Sequence, residues 1–269
     1  MLALITIGPA VFAIMLVMIR QTITSKLLSA HKGITCAVST VELGNMAFSW
    51  GEKDEVIHSR RALVESLGLE LENGVVIACA HDIDIREVGK ADRGNGPFDG
   101  EKSYFLDCLV TTEPDVVLML PTADCVPLII YDPVKSVLAL VHAGWRNTDK
   151  EFSRLVVEYL VQKHQVSAEN LLCYIGPCIA QHSYVFDDPV QSKLPNWQPF
   201  IHQISAGKYE IDLEGYNVDQ LKRAGVLTEH IEVSGVDTCS DQNFFSHYRA
   251  VRTEEQEGRI MTVASLKKV

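Results

Sequence analysis

Between Val116 and Asn147 three short aliphatic runs lie close together, at 116–120, 126–131 and 137–141. Pro, Asp, Lys and Ser separate them. Runs of this length, rich in branched side chains and bounded by turn residues, predict buried strands with tight connections. Asp132-Pro133-Val134-Lys135 has Asp first and Pro second, the order that suits a type I turn. With Asp132 facing Lys135 across that turn, antiparallel counting sets Cys125 opposite His142. A one-residue slip keeps the two as neighbours at the same end of the hairpin.

Upstream, 33–40 reads as a strand and 44–51, with a glycine at each end, as a loop or short strand. Glu55 to Leu67 carries Val56, Leu63, Val64 and Leu67 on one helical face, with Gly68 as the C-cap. Gly74 to Ala80 is an apolar strand that delivers His81 at its C-terminal edge. Residues 82–104 are polar and predict a mobile loop beside His81. Downstream, Thr148-Asp149-Lys150-Glu151 has the pattern of a capping box. It opens a helix with Phe152, Leu155, Val156, Tyr159 and Leu160 at helical spacing. Leu171–Ile175 reads as a strand running into Gly176-Pro177-Cys178-Ile179. A helix near 216–224 ends at Gly225, and strands follow near 230–235 and 259–265. No repeat or linker interrupts 22–269, so one mixed α/β domain is expected there, behind a hydrophobic extension at 1–21.

That extension changes the picture in one respect. Residues 1–19 are apolar apart from Thr6, Gly8 and Pro9, a length at the lower end of what spans a bilayer. No basic segment precedes the apolar run, and no small-residue cleavage site follows it, which disfavours a secretory signal. The segment reads as a membrane anchor or as a start codon placed too far upstream. As an anchor, with Arg20, Lys26 and Lys32 on its C-terminal side, it would keep the domain in the cytoplasm. The net charge of −11, with no basic cluster outside Lys267-Lys268, argues against nucleic-acid binding. Seven scattered cysteines with no CxxC pair read as reduced thiols, not as a disulfide framework or a zinc ribbon.

Candidate chemistry sits at strand ends: His81, Cys125 and His142. Two imidazoles and a thiolate suit Zn²⁺, with copper also accommodated, and three protein ligands leave the open position of a catalytic site. The bland alternative is a core cysteine and two hydrogen-bonded histidines. The same atoms could instead form a Cys–His pair for acyl transfer, Cys125 as nucleophile and His142 as base. Asp124 would point to the opposite strand face and could not easily orient His142. Arg146, beside the helix expected from Thr148, would make an anion site for phosphate or carboxylate. Arg249 and Arg259 are further cations whose expected role is salt bridging.

At TADCVPLIIYDP, VHAGWR and IGPCI, with FFSHYR and GRI near the C-terminus, the chain resembles the YfiH family of purine nucleoside phosphorylases. That family is also described as multi-copper polyphenol oxidoreductase or laccase-domain proteins. The resemblance covers roughly residues 26–265. It implies an α/β (α+β) sandwich of mixed sheets with flanking helices, related to a cytotoxic-necrotizing-factor-like cysteine hydrolase that uses a Cys–His pair. It also implies zinc, with copper as an alternative, held by His81, Cys125 and His142, which would serve as the catalytic residues as well. The implied reactions are phosphorolysis of adenosine, inosine, guanosine and methylthioadenosine, and adenosine deamination, with purine nucleoside and phosphate as small-molecule partners. Phenol oxidation through copper and peptidoglycan-precursor editing are the alternatives. Asn45 in the GNM segment and Arg146 are the implied substrate contacts. The chain departs from the family pattern at Cys79-Ala80-His81, where Gln-x-His is common, at Asn147, at Val185-Phe186 and at Tyr248.

Overall fold

The computed structural model describes residues 21–268, and the hydrophobic stretch at 1–20 lies outside the described residues. Among those described, no helix is long and apolar enough to cross a membrane. In chain order the first strands are β1 (Thr22–Ile23), β2 (Ile34–Ser39), β3 (Gly74–Ala78), β4 (Ile85–Glu87) and β5 (Tyr104–Phe105). Next come β6 (Cys108–Thr111), β7 (Val117–Thr122), β8 (Val126–Asp132), β9 (Val137–Ala143) and β10 (Leu172–Ile175). The last are β11 (Val185–Asp187), β12 (Ile201–Ser205), β13 (Lys208–Ile211), β14 (Ile231–Val233) and β15 (Ile260–Leu266). The helices are α1 (Lys26–Ser29), α2 (Lys53–Ser66), α3 (Trp145–Asp149), α4 (Phe152–His164), α5 (Leu213–Arg223) and α6 (His247–Thr253).

Two six-stranded mixed sheets form the body. The first runs β1-β2-β15-β7-β3-β5 and the second β14-β10-β8-β9-β6-β4, with a small sheet β11-β13-β12 beside them. Side-chain alternation sorts each strand between two cores. In β7, Leu118 and Leu120 face the second sheet while Val117 and Met119 face α2 through Leu63 and Val64. In β9, Leu138 and Leu140 face the first sheet, while Val137, Ala139 and Val141 face Phe152, Val156 and Leu160 of α4 and Leu213, Tyr216 and Leu221 of α5. The layers are therefore helix, sheet, sheet, helix. This is why the three central runs lack polar alternation: both faces of each strand are covered.

The central hairpin forms as its pattern predicts, with a register two residues away from the expected one. Asp132 pairs with Val137, so Val126 meets Ala143 and Pro127 meets His142. Residues 133–136 all belong to the loop. Asp132 Oδ1 accepts hydrogen bonds from the backbone N–H of Val134 (2.7 Å) and Lys135 (3.2 Å), and Ser136 is left-handed at φ 52°. The Asp side chain thus closes a longer loop than the four-residue turn expected at 132–135.

Two other expectations change. The Thr148–Glu151 capping box does not form: Glu151 is left-handed at φ 57° without a side-chain cap, and α4 begins at Phe152. Thr148 is buried and accepts a hydrogen bond from Asn217 Nδ2 at 3.0 Å, while its carbonyl accepts one from Gln220 Nε2 at 2.8 Å. Segment 82–104 is built into the body. It contains β4, which pairs with β6, and the buried Arg60 guanidinium donates to the carbonyls of Gly96 (2.8 Å) and Pro97 (3.1 Å).

The layered packing predicts a sharp contrast in urea unfolding. Leu140→Ala, between the sheets, should cost about 2–5 kcal/mol. Val134→Ala, 68% exposed in the hairpin loop, should stay within about 0.5 kcal/mol of the parent. Similar losses in both would contradict the assignment of the inter-sheet core.

Candidate active site and metal centre

The inward alternation of the central strands continues past their ends and builds a cluster. In β3, Val75 and Ile77 face the gap between the sheets, so Cys79 continues that face. In β6 the inward residue is Leu109, which puts Asp107 on the same side. Ile129 and Tyr131 do this for Cys125, and Leu138 and Leu140 for His142. Strand directions bring all four to one mouth of the gap: β8 and β6 start there, and β9 and β3 end there.

Asp107 is the hub. The register Cys108↔Val141 sets it opposite His142, and the His142 N–H donates to the Asp107 carbonyl at 2.8 Å. Its fully buried carboxylate lies 2.6 Å from His142 Nδ1. The same carboxylate accepts the backbone N–H of His81 at 3.1 Å and of Asp82 at 2.8 Å. His81 is held at φ 59°, a left-handed conformation that turns its imidazole back toward the cluster. Its ring meets that of His142 edge to face, centroids 4.8 Å apart.

Cys125 completes the group. Asp124 before it is left-handed at φ 79° and buried, and its carboxylate accepts from Thr238 Oγ1 (2.7 Å) and the Tyr248 N–H (2.6 Å). That anchor points Asp124 away from His142 and leaves Cys125 facing it. Cys125 Sγ and the His142 ring lie side by side above Gly144, and with Nδ1 occupied by Asp107 the free ring nitrogen is Nε2. Gly144 forms the floor. A Cβ there would stand 3.0 Å from His81 Nδ1, 3.2 Å from Cys125 Sγ and 3.3 Å from His142 Cε1, so a larger residue would press on all three side chains.

The structure thus brings His81, Cys125 and His142 together around Gly144, residue types that suit a borderline divalent metal such as zinc or copper. Cys79 Sγ, an Asp107 oxygen and a His142 nitrogen also lie within 4.8 Å of one another. With three hydrogen bonds already accepted, Asp107 is better suited to orienting His142 than to ligating.

Arg146 is exposed on α3, stacked over Trp145 at 4.5 Å, with no ion pair among the described residues. Its charge reaches both His81 and Tyr184. Asn45 lies in the wall of a groove of about 660 Å³ that none of the three donors lines. Its amide donates to the Ala47 carbonyl (2.8 Å) and accepts from the N–H groups of Ala47 (3.0 Å) and Arg259 (2.9 Å). Arg249 donates to the carbonyls of Thr238, Cys239 and Phe244 and pairs with Glu255, and Arg259 pairs with Glu257, so both are structural. Sequence reasoning missed Asp107. The only signal was an acid inside the apolar run Phe105-Leu106-Asp107-Cys108-Leu109-Val110.

The two histidines titrate in opposite directions. Burial alone would lower His142, but the electrostatic effect of Cys79 and Cys125 and the Asp107 hydrogen bond lift it well above its ordinary 6.5. Burial, then the charges of His142 and Arg146, outweigh Asp107 and lower His81. A raised histidine binds its proton more tightly folded than unfolded. His142 therefore adds stability below pH 6.5 that fades as pH rises through its folded value. His81 does the reverse, and its contribution is lost as pH falls through 6.5. In chelator-treated protein, imidazole NMR should find His142 protonated above pH 6.5 and His81 neutral at that pH, with Asp107→Asn lowering both. A wild-type His142 that titrates below 6.5 would contradict the hub.

The family model described as multi-copper polyphenol oxidoreductase laccase matches residues 30–267. The chain is 32% identical over 222 residues to purine nucleoside phosphorylase YlmD of Bacillus subtilis, covering 80% of this chain and 79% of that protein. To YlmD of Geobacillus stearothermophilus it is 36% identical over 218 residues, 76% and 78% of the two chains. The crystal structure of that protein superposes with a TM-score of 0.83, covering 91% of this chain and 94% of the other at 31% identity. A relative from an unknown prokaryotic organism, adenosine deaminase RL5, is 28% identical over 201 residues, 72% and 76% of the two. The mixed two-sheet sandwich and these matches agree, and the chain belongs to the multi-copper polyphenol oxidoreductase laccase family.

Proposed function

We propose that the chain is a zinc-dependent purine nucleoside phosphorylase acting on adenosine, inosine, guanosine or methylthioadenosine. The observation that carries this reading is the convergence of His81, Cys125 and His142 over Gly144, with Asp107 fixing His142 from behind. It is supported by relatives named as purine nucleoside phosphorylases.

His81 Nδ1, Cys125 Sγ and His142 Nε2 would hold the metal. A bound zinc ion supplies Lewis-acid polarisation of an oxygen atom. The remaining work falls to the chain. The exposed guanidinium of Arg146, without an ion pair among the described residues, holds phosphate as a charge-assisted hydrogen-bond donor. A phosphate oxygen then bonds to ribose C1′ as the bond from C1′ to the purine nitrogen breaks, and the electron pair leaves with the base. Asp107 keeps the proton of His142 on Nδ1, so Nε2 stays the free ring nitrogen. Tyr184, partly buried and within electrostatic reach of Cys125 and Arg146, offers a ring for a base or sugar to lean on. In a deaminase mode, supported by the name of RL5, water would add at purine C6 in place of phosphate at C1′, and the C6–N bond would break to release the amine as ammonia.

A second reading is favoured by one observation. Cys125 lies beside His142, which Asp107 holds by a hydrogen bond, in the order of a thiol hydrolase's nucleophile, base and orienting acid. That reading predicts activity that survives chelation.

With inosine as substrate, His142→Ala should cut phosphate-dependent base release at least about 100-fold. Arg146→Ala should raise the KM for phosphate about tenfold or more while changing the KM for inosine little. Coupled hypoxanthine detection measures both. Base release indifferent to phosphate, or an Arg146→Ala enzyme with an unchanged phosphate KM, would overturn the assignment.

A further inference from the structure

The groove that holds Asn45 has the dimensions and polar groups of a ligand site, yet neither the three donors nor Arg146 lines it. Its volume of about 660 Å³ falls within the range of small-molecule sites. Ser59 lines it while only 8% exposed, its Oγ so close to Gly44 that a Cβ there would come within 2.6 Å. That hydroxyl has no hydrogen-bond partner among the described residues, although a side chain so buried normally has one. Asn45 Nδ2 donates to the Ala47 carbonyl and keeps a second N–H. Trp50, 40% exposed, supplies an aromatic wall, and the Arg259 guanidinium over its ring at 5.2 Å, itself paired with Glu257, steadies the indole. Asp54 and Glu55, in the first turn of α2, add two exposed carboxylates without an ion pair among the described residues. No lysine or arginine lines the groove.

These groups select a class of ligand. An indole face takes a flat ring, and carboxylates accept hydrogen bonds from hydroxyl and ring N–H groups. The same carboxylates repel an anion. A nucleoside meets all three conditions: it is neutral, it carries a flat base, and its ribose is rich in hydroxyl donors. A nucleotide fails the last condition, because its phosphate brings negative charge to Asp54 and Glu55. We propose that this groove is a second nucleoside site, separate from the catalytic cluster, with the base against Trp50 and polar contacts from Ser59, Asn45 and the two carboxylates. The choice of a nucleoside rests on the phosphorylase reading of the chain. The groove opens at the same end of the first sheet as the cluster. Asn45 accepts the N–H of Arg259, which precedes β15, and Ile260 of β15 pairs with Thr122, three residues before Cys125.

Equilibrium dialysis of the full chain, as purified, against inosine in phosphate-free buffer provides the test, because phosphorolysis cannot proceed there. At inosine up to about 1 mM, the upper end of ordinary substrate levels, wild type should bind about two inosines per chain. Trp50→Ala and Ser59→Ala should each bind about one, and Trp50→Ala should keep phosphate-dependent turnover within about twofold of wild type. Adenosine should displace the inosine that Trp50→Ala loses at least about tenfold more effectively than inosine monophosphate does. One inosine or none in wild type, or two retained in both variants, would overturn the inference, as would equal displacement by the nucleotide. Turnover that persists in those cases leaves the phosphorylase reading standing. Two inosines bound by wild type, one lost in Trp50→Ala, with no turnover when phosphate is added, would sink the phosphorylase reading and keep the groove.

Discussion

The buried carboxylate of Asp107 is the constraint on which the site depends. It accepts from three donors on two different segments: the His142 imidazole on β9 and the backbone N–H groups of His81 and Asp82 beyond β3. A carboxylate with no exposure is costly unless its lone pairs are filled, and here they are filled by groups that must be positioned for chemistry. One anion therefore fixes the tautomer of one histidine and the left-handed backbone of the other. Take it away, and a buried imidazole loses its orientation while two N–H groups lose their acceptor.

The layered body explains why the cluster forms where it does. Both six-stranded sheets are covered on their outer faces by helices, so their inner faces are free to be wholly apolar along most of their length. Polar chemistry is confined to one mouth, where the inward positions fall just past the strand ends. Burial there is deep enough to shift the histidines and shallow enough for a small ligand to reach Cys125 and His81, both partly exposed. Arg146 stands at the rim because α3 starts directly after Gly144, and the Thr148, Asn217 and Gln220 network locks the junction behind it.

Much of this was legible from local pattern. The strands β7, β8 and β9, helix α2 with Gly68 after it, and the last strand stand close to where hydrophobic periodicity puts them. His81, Cys125 and His142 were legible because each ends an apolar run. What local pattern could not supply was pairing at a distance. Asp107 acts through β6, whose partner β9 lies some thirty residues on, and nothing near Asp107 announces that register. The hairpin was misjudged by two residues because its loop, closed by an Asp side chain, is longer than a four-residue turn. The capping box at Thr148 misled because a buried Asn217 takes the hydroxyl that would have capped α4. The strands β11, β12 and β13 are short and largely polar, and their pattern does not separate them from loop.

The most direct test of the account is metal content. Protein purified without added metal should carry about one equivalent of zinc or copper per chain, lost together with turnover of inosine in Cys125→Ser. Metal-free protein that turns inosine over in the presence of a chelator would contradict it.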